Sequence, residues 1–248
     1  MFMRFFQGKG HGFRSNSEKY VAEANFWREE QQRYVRWYQG ETSHYGIASP
    51  ATDQKITNFS TIEKNAAATW TKLFQEPRYH EDMAVATDAF RGMRVLDIGC
   101  GPLPSALVFT DCQIYGLDHL IDLYRTVGFP IDEYNTDRFH FIQAKSECIP
   151  FEDHFFDAVI SANAIDHVDS IETTSKEIRR VLKPNGIFRM HVHYHAPLET
   201  EPISFTDENF AQAFNWVPGL KKISTTHVKD LGFTKSPADE SYNLWGNH

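Results

Sequence analysis

Residues 93–109 read MRVLDIGCGPLPSALVF: an apolar run leads through Asp97 into Gly99 and Gly101, and small apolar residues follow. A short apolar run bounded by glycine is the pattern of a fully buried strand, and glycine gives the backbone freedom for a tight turn into a helix. In an open parallel sheet, ligands bind beyond the carboxyl ends of the strands, near the point where strand order reverses. Bare glycine backbone lets a ligand approach there, and the start of a helix offers free N–H groups. A dinucleotide fingerprint needs a third glycine two residues further on; Pro104 occupies that position, which speaks against a pyrophosphate clamp.

Working outward toward the carboxyl end, six more segments and the opening strand RVLDI (94–98) share the same character. They are QIYGLD (113–118), FHFIQA (139–144), FDAVIS (156–161) and GIFRMHVHY (186–194), then KKISTTHV (221–228) with SYNLWG (241–246) as a final pair. Helices are expected after Pro104, after His119, from Ser170 to Leu182, and over TDENFAQAF (206–214). The helix near Asp169 has a capping box with Glu172; Ile171, Thr174, Ile178 and Val181 line one side, and KPNG (183–186) forms a tight turn after it. Strand and helix in alternation predict an α/β fold over residues 91–248. The architecture is a Rossmann-like, doubly wound, mostly parallel seven-stranded sheet with helices on both faces.

Toward the amino end, two helices are expected. Ser15 and Glu18 have capping-box spacing, and Tyr20, Ala24, Trp27, Tyr34 and Tyr38 draw a stripe that ends near Gly40. The second opens at Ser60 with Glu63, runs Ile62, Ala66, Trp70, Leu73 and Phe74 down one side, and stops before Pro77, with a loop over residues 40–55 between the two. Aromatic stripes read first as packing. A helical pair outside the main sheet also has the means to cover a cavity, so residues 1–90 are expected to form an N-terminal helical extension or cap over the active site.

The chain of 248 residues is 41% hydrophobic and 14% aromatic, which suits a globular protein, and no run is long enough to span a bilayer. Arg4 and glycines interrupt the amino end, so no export signal is expected. Cys100, Cys112 and Cys148 form no CxxC pair, which points to a reducing cytoplasm. A formal charge of −8 disfavours nucleic acid as a partner. Residues 1–40 nevertheless carry seven Lys and Arg against four Glu, a positive flank that suits the acidic remainder of the same chain. Nothing points to a membrane partner, and a homodimer is left open.

Two acids define the ligand. Asp118 closes the second strand, about 20 residues beyond the glycine turn, where a carboxylate accepts both hydroxyls of a ribose. Asp97 adds a second negative charge, which repels phosphate and favours a cation. The pair suggests an adenosine that carries positive charge.

At these residues the chain resembles the class I S-adenosylmethionine-dependent methyltransferases. VLDIGCGP (95–102), YGLDHL (115–120), ECIPFEDHFFDAVIS (147–161) and EIRRVLKPNGIF (177–188) match four of their motifs in order, over roughly residues 94–195. The resemblance implies S-adenosyl-L-methionine as cofactor and a small-molecule acceptor. It places Gly99 and Gly101 against the methionine part, Asp97 near its ammonium, Asp118 on the ribose and Asn163 near the sulfonium. Cys100, His119, Lys145, Ser146 and Glu147 complete the expected cofactor wall. Lys145 stands where the family often has an acid for the adenine amino group, so the backbone of Ser146 is left to serve, and Cys100 reads as a small filler. Phe151 and Phe156 are assigned to the core.

For catalysis the candidates are His167, the Asp166 that precedes it, and His195. His191, His193 and His195 share one face of a strand; His195 is expected to reach the cavity and His191 to lie in the core. Alternating histidines with Glu199 or Glu201 would suit a metal, but no spaced partner motif is present and no metal site is expected. The preferred acceptor is a hydroxyl on a sugar or natural-product scaffold. A cofactor-binding module without catalysis is the alternative, followed by a nicotinamide oxidoreductase, which Pro104 disfavours.

Overall fold

A computed structural model describes residues 16–41, 59–198, 200–227 and 240–247. The helices are α1 (Asn16–Tyr38), α2 (Phe59–Trp70), α3 (Glu76–Asp82), α4 (Ile121–Thr126), α5 (Ile131–Tyr134), α6 (Ile171–Val181) and α7 (Asp207–Ala213). The strands are β1 (Arg94–Ile98), β2 (Gln113–Asp118), β3 (Phe139–Gln143), β4 (Phe156–Ala162), β5 (Leu182–Tyr194), β6 (Lys221–His227) and β7 (Ser241–Gly246). They form one seven-stranded sheet in the order β3-β2-β1-β4-β5-β7-β6. β1 pairs in parallel with both β2 and β4, so the chain reverses direction of winding between them, while β7 runs antiparallel to β5 and β6. The class and strand number follow the sequence expectation.

One face of the sheet offers Leu96, Val159, Phe188 and Met190 to Ile178 and Val181 of α6 and Phe210 and Phe214 of α7. The other offers Val95, Ile114, Ala158 and Ile160 to Tyr79 of α3, to Met83 at its carboxyl end, and to Ala106 and Phe109. A third cluster joins Tyr34 and Trp37 of α1 to Ala66 and Trp70 of α2 and to Ile121 and Tyr124 of α4. Thr206 caps α7 as a capping box, its Oγ1 accepting from Asn209 N at 3.2 Å while Asn209 Oδ1 accepts from Thr206 N at 2.8 Å.

Several local expectations are corrected. The second helix does not stop before Pro77: a wide π turn over Thr71–Gln75 leads directly into α3, where Pro77 lies in the first turn. Proline lacks only an N–H that this turn leaves unbonded. Leu73, on the outside of the π turn, is exposed rather than packed. After Pro104 there is only a short 3-10 helix over Ser105–Val108, and α3 covers that part of the sheet. The cap of α6 is Ser170, whose Oγ accepts from Thr173 N at 3.2 Å, because the Asp169 carboxylate is engaged by Lys145 Nζ at 2.6 Å. KPNG lies within β5 as an irregularity in its pairing with β4, with Asn185 at φ 61°. Ser15, the Ser60 side chain, most of the loop at 40–55, Glu199 and residues 228–239, which include the link between the last two strand candidates, lie outside the described residues.

Candidate active site

The parallel strands deliver Asp97, Asp118 and Asn163 to one edge of the sheet, and a cavity opens there beneath α1. Gly99 and Gly101 have φ of 69° and 65°, the left-handed region that glycine adopts without strain. A Cβ on Gly99 would overlap the Ala164 Cβ, and one on Gly101 would sit 3.1 Å from Trp27 Cζ2. The turn therefore has to be bare. Asp118 is fixed by peptide donors: Oδ2 accepts from Gly101 N at 3.0 Å and Oδ1 from Leu120 N at 2.9 Å, with Tyr124 Oη donating to Oδ2 at 3.4 Å. Oδ2 thus takes two donors, while Oδ1, which accepts from one peptide, has a second lone pair left for a ligand hydroxyl. Burial raises the Asp118 pKa, which His119 and the two peptide donors oppose.

Asp97 does not line the cavity. It is 1% exposed, and Tyr79 of α3, which does line the cavity, donates its hydroxyl to Asp97 Oδ1. Burial pushes the Asp97 carboxyl up to about 7 against the Tyr79 hydrogen bond, and the charge of Asp118 adds to the rise. The expectation that two carboxylates both face the ligand is corrected to one in the wall and one behind a tyrosine. Cys100 is a wall residue whose thiol burial keeps protonated, in line with a filler.

α1 supplies the opposite wall with Lys19, Tyr20, Glu23, Phe26 and Trp27. Lys19 Nζ donates to His167 O at 2.8 Å. The Glu23 carboxylate lies between two histidines, 3.4 Å from His167 Nδ1 and 3.6 Å from His119 Nε2. Burial alone would raise Glu23, but the hydrogen bonds to His119 and His167 outweigh it and hold its pKa down at about 2. Tyr20 meets the His119 ring edge-on at 4.6 Å. The sequence reading missed Lys19, Tyr20, Glu23 and Trp27 as site residues. A signal existed: Glu23 is an acid on the stripe of Tyr20 and Trp27, where an apolar residue belongs.

At the third wall, Lys145, Ser146 and Glu147 all reach the cavity. Their side chains are occupied by the fold: Lys145 pairs with Asp169, Ser146 Oγ lies 3.1 Å from Thr174 Oγ1, and Glu147 Oε1 accepts from Asp169 N at 2.7 Å and Ser170 N at 3.1 Å.

Beyond the carboxyl end of β4, Asn163 has φ 55°, donates its N–H to His191 O at 2.7 Å and has a buried Oδ1 without a partner. Beside it the cavity is lined by His167, His191, Thr200 and Tyr242, with the His191 and Tyr242 rings stacked at 5.4 Å. Of the catalytic candidates, His167 is on the wall. Burial opposes its charge, but Glu23 prevails and raises its pKa to about 9, so it is a donor at neutral pH rather than a base. Asp166 and His195 are not wall residues. They are buried behind it, His195 Nε2 lying 3.2 Å from Asp166 Oδ2 and 3.1 Å from Glu201 Oε2. The places expected for His195 and His191 are thus exchanged, because β5 passes the cavity at the level of Ala162, with which His191 is in register.

Residues 96–190 match the methyltransferase domain family. A sterol 24-C-methyltransferase of Gibberella zeae is 34% identical over 161 residues, which is 58% of this chain and 42% of that protein. The sterol 24-C-methyltransferase of Saccharomyces cerevisiae is 25% identical over 184 residues, 66% of this chain and 48% of that protein. The chain thus spans less than half the length of these relatives. Among solved structures, the YcgJ protein from Bacillus subtilis aligns with a TM-score of 0.52 over 69% of this chain and 97% of its own, at 17% identity, a likeness of fold.

Proposed function

We propose that this chain, which carries a class I S-adenosylmethionine-dependent methyltransferase domain distantly related to sterol 24-C-methyltransferases, methylates a hydroxyl on an apolar small molecule. The observation that carries this reading is one cavity running from Asp118 and the glycine turn to Asn163, His191 and Tyr242. Its residues suit the cofactor. The bare turn has no room for a Cβ, Asp118 is held by peptide donors with a lone pair of Oδ1 to spare, and the unpartnered Asn163 Oδ1 accepts from a cationic or N–H group. When bound, the cofactor supplies a methyl group activated by a sulfonium.

The chain's own part is mostly placement. Asp118 fixes the ribose end, and α1 with Trp27 covers the cavity and acts as its cap. Holding two reactants in line is worth about 7–11 kcal/mol in favourable cases. His191 takes the hydroxyl proton on a ring nitrogen, a contribution of about 10²–10⁴ in rate. Labelled methyl transfer from S-adenosylmethionine to a metabolite and glycan extract tests the reading: label in hydroxyl-bearing small molecules supports it, and label only in nucleic acid or protein refutes it.

A carbon acceptor of sterol type is the second reading, favoured by the curated relatives and by the aromatic wall of Tyr20, Phe26, Trp27 and Tyr124. Aromatic faces attract developing positive charge. A product with a new carbon–carbon bond, formed equally well by His191→Ala, would decide for it.

A further inference from the structure

We propose that Asp166, His193, His195 and Glu201 form a closed binding site for one divalent transition-metal ion of the zinc type. Asp166 comes from the 3-10 turn after β4, the histidines from the end of β5 and the residue just beyond it, and Glu201 from the segment that follows. One ligand atom from each lies within 4.8 Å of the other three, and all four side chains are buried. Bonds of about 2.0–2.1 Å give a tetrahedron with edges of about 3.3 Å. The separations of 3.2 Å from His195 Nε2 to Asp166 Oδ2 and 3.1 Å to Glu201 Oε2 are close to such edges.

Three further observations point to a ligand. His193 is 5% exposed, yet neither of its ring nitrogens has a hydrogen-bond partner. Asp166 Oδ1 and Glu201 Oε2 are buried and unpartnered as well; the 3.1 Å approach of His195 to Glu201 lacks hydrogen-bond alignment. Finally, His195 Nδ1 lies 2.6 Å from Ala196 O. A carbonyl only accepts, so Nδ1 carries the proton, and the lone pair of Nε2 is left to face the carboxylates. This is how a metal-binding imidazole is oriented by its outer partner.

An imidazolium at His195 held by Asp166 would explain that one ring but leave His193, Asp166 Oδ1 and Glu201 Oε2 without partners. A cation accounts for all four side chains together. Two imidazoles with two carboxylates suit zinc, cobalt or iron better than magnesium or calcium, which prefer oxygen throughout. Four buried protein ligands make the site structural. It would anchor the far wall of the cavity, since His167 follows Asp166, Thr200 precedes Glu201, and His193 stacks on Tyr242 at 4.6 Å. The inference does not depend on the methyl-transfer reading.

The chain has 12 histidines, so the test separates this site from chance binding. Chelator-treated protein is titrated calorimetrically with zinc chloride and spectroscopically with cobalt, and zinc-loaded crystals are measured at the zinc absorption edge. Expected are one tight ion per chain, a visible tetrahedral cobalt band, a rise in melting temperature with zinc, and an anomalous peak between the four side chains. His193→Gln and Glu201→Gln are each expected to weaken zinc binding by about 10²-fold or more. Absence of saturable binding at one equivalent, binding untouched by both substitutions, or a peak elsewhere would each overturn the proposal. The wild-type crystal decides the matter if a variant fails to fold.

Discussion

Asp118 and Asp97 are one residue type in two physical situations. Asp118 is held by two peptide N–H groups and faces the cavity. Asp118→Ala removes charge-assisted bonds worth about 1.5–3 kcal/mol, so calorimetry with S-adenosylhomocysteine should show cofactor affinity about 10–150-fold weaker; unchanged affinity would remove Asp118 from the ribose. Asp97 has its carboxyl raised to about 7 by burial. A raised carboxyl favours the folded state while protonated, so this part of the stability is present at pH 4 and lost as pH rises toward 7. Asp97→Asn is therefore expected to be about 1–3 kcal/mol more stable than wild type at pH 8 and no more stable at pH 4, as read from urea midpoints. The family resemblance puts Asp97 near the ammonium, so the same variant is expected to bind S-adenosylmethionine more weakly, acting through Tyr79, which bonds Asp97 and lines the cavity. Tighter binding would show that Asp97 does not serve the cofactor.

Among elements, α1 is where sequence and structure part most usefully. Its stripe was legible, and Tyr34 does pack against Trp70 of α2, with Trp37, outside the expected stripe, joining it. Hidden in the sequence was that the amino-terminal half of the helix lies across the cavity, since this depends on Lys19 and Glu23 reaching His167 and His119, both far along the chain. Glu23, held down at about 2, contributes stability that is full above its ordinary pKa near 4.5 and is lost as pH falls toward 2. Glu23→Gln should cost about 1–3 kcal/mol at pH 7, with the gap to wild type narrowing steadily as pH falls from 4.5 toward 2. It should also raise the KM for S-adenosylmethionine, and a gap that does not change with pH would contradict the ion-pair role. The extension of the helix past Pro77 was not legible, because a π turn depends on how Trp70 and Phe74 pack rather than on any local signal.

For the molecule as a whole, the sheet was legible because its central strands β1 and β4 are buried on both faces and read as short apolar runs, with Gly99 and Gly101 marking the switch point. Strand order between β5, β7 and β6 was not, since antiparallel closure depends on pairings such as His191 with Leu244 that no motif records. The same long range hid His191 in the cavity and Asp166 beside His193. His191→Ala is expected to lower kcat by about 10²–10⁴ on a hydroxyl acceptor while cofactor affinity is unchanged; a loss confined to cofactor binding would place His191 outside the chemistry. No helix among the described residues is long and apolar enough to cross a membrane. Calorimetric titration of the purified chain with S-adenosylhomocysteine, and in parallel with a nicotinamide dinucleotide, is the most direct measurement. Saturable one-to-one binding of the first and none of the second is expected; an inert response to S-adenosylhomocysteine, or preference for the dinucleotide, would contradict a glycine turn and an aspartate built for a cationic adenosyl cofactor.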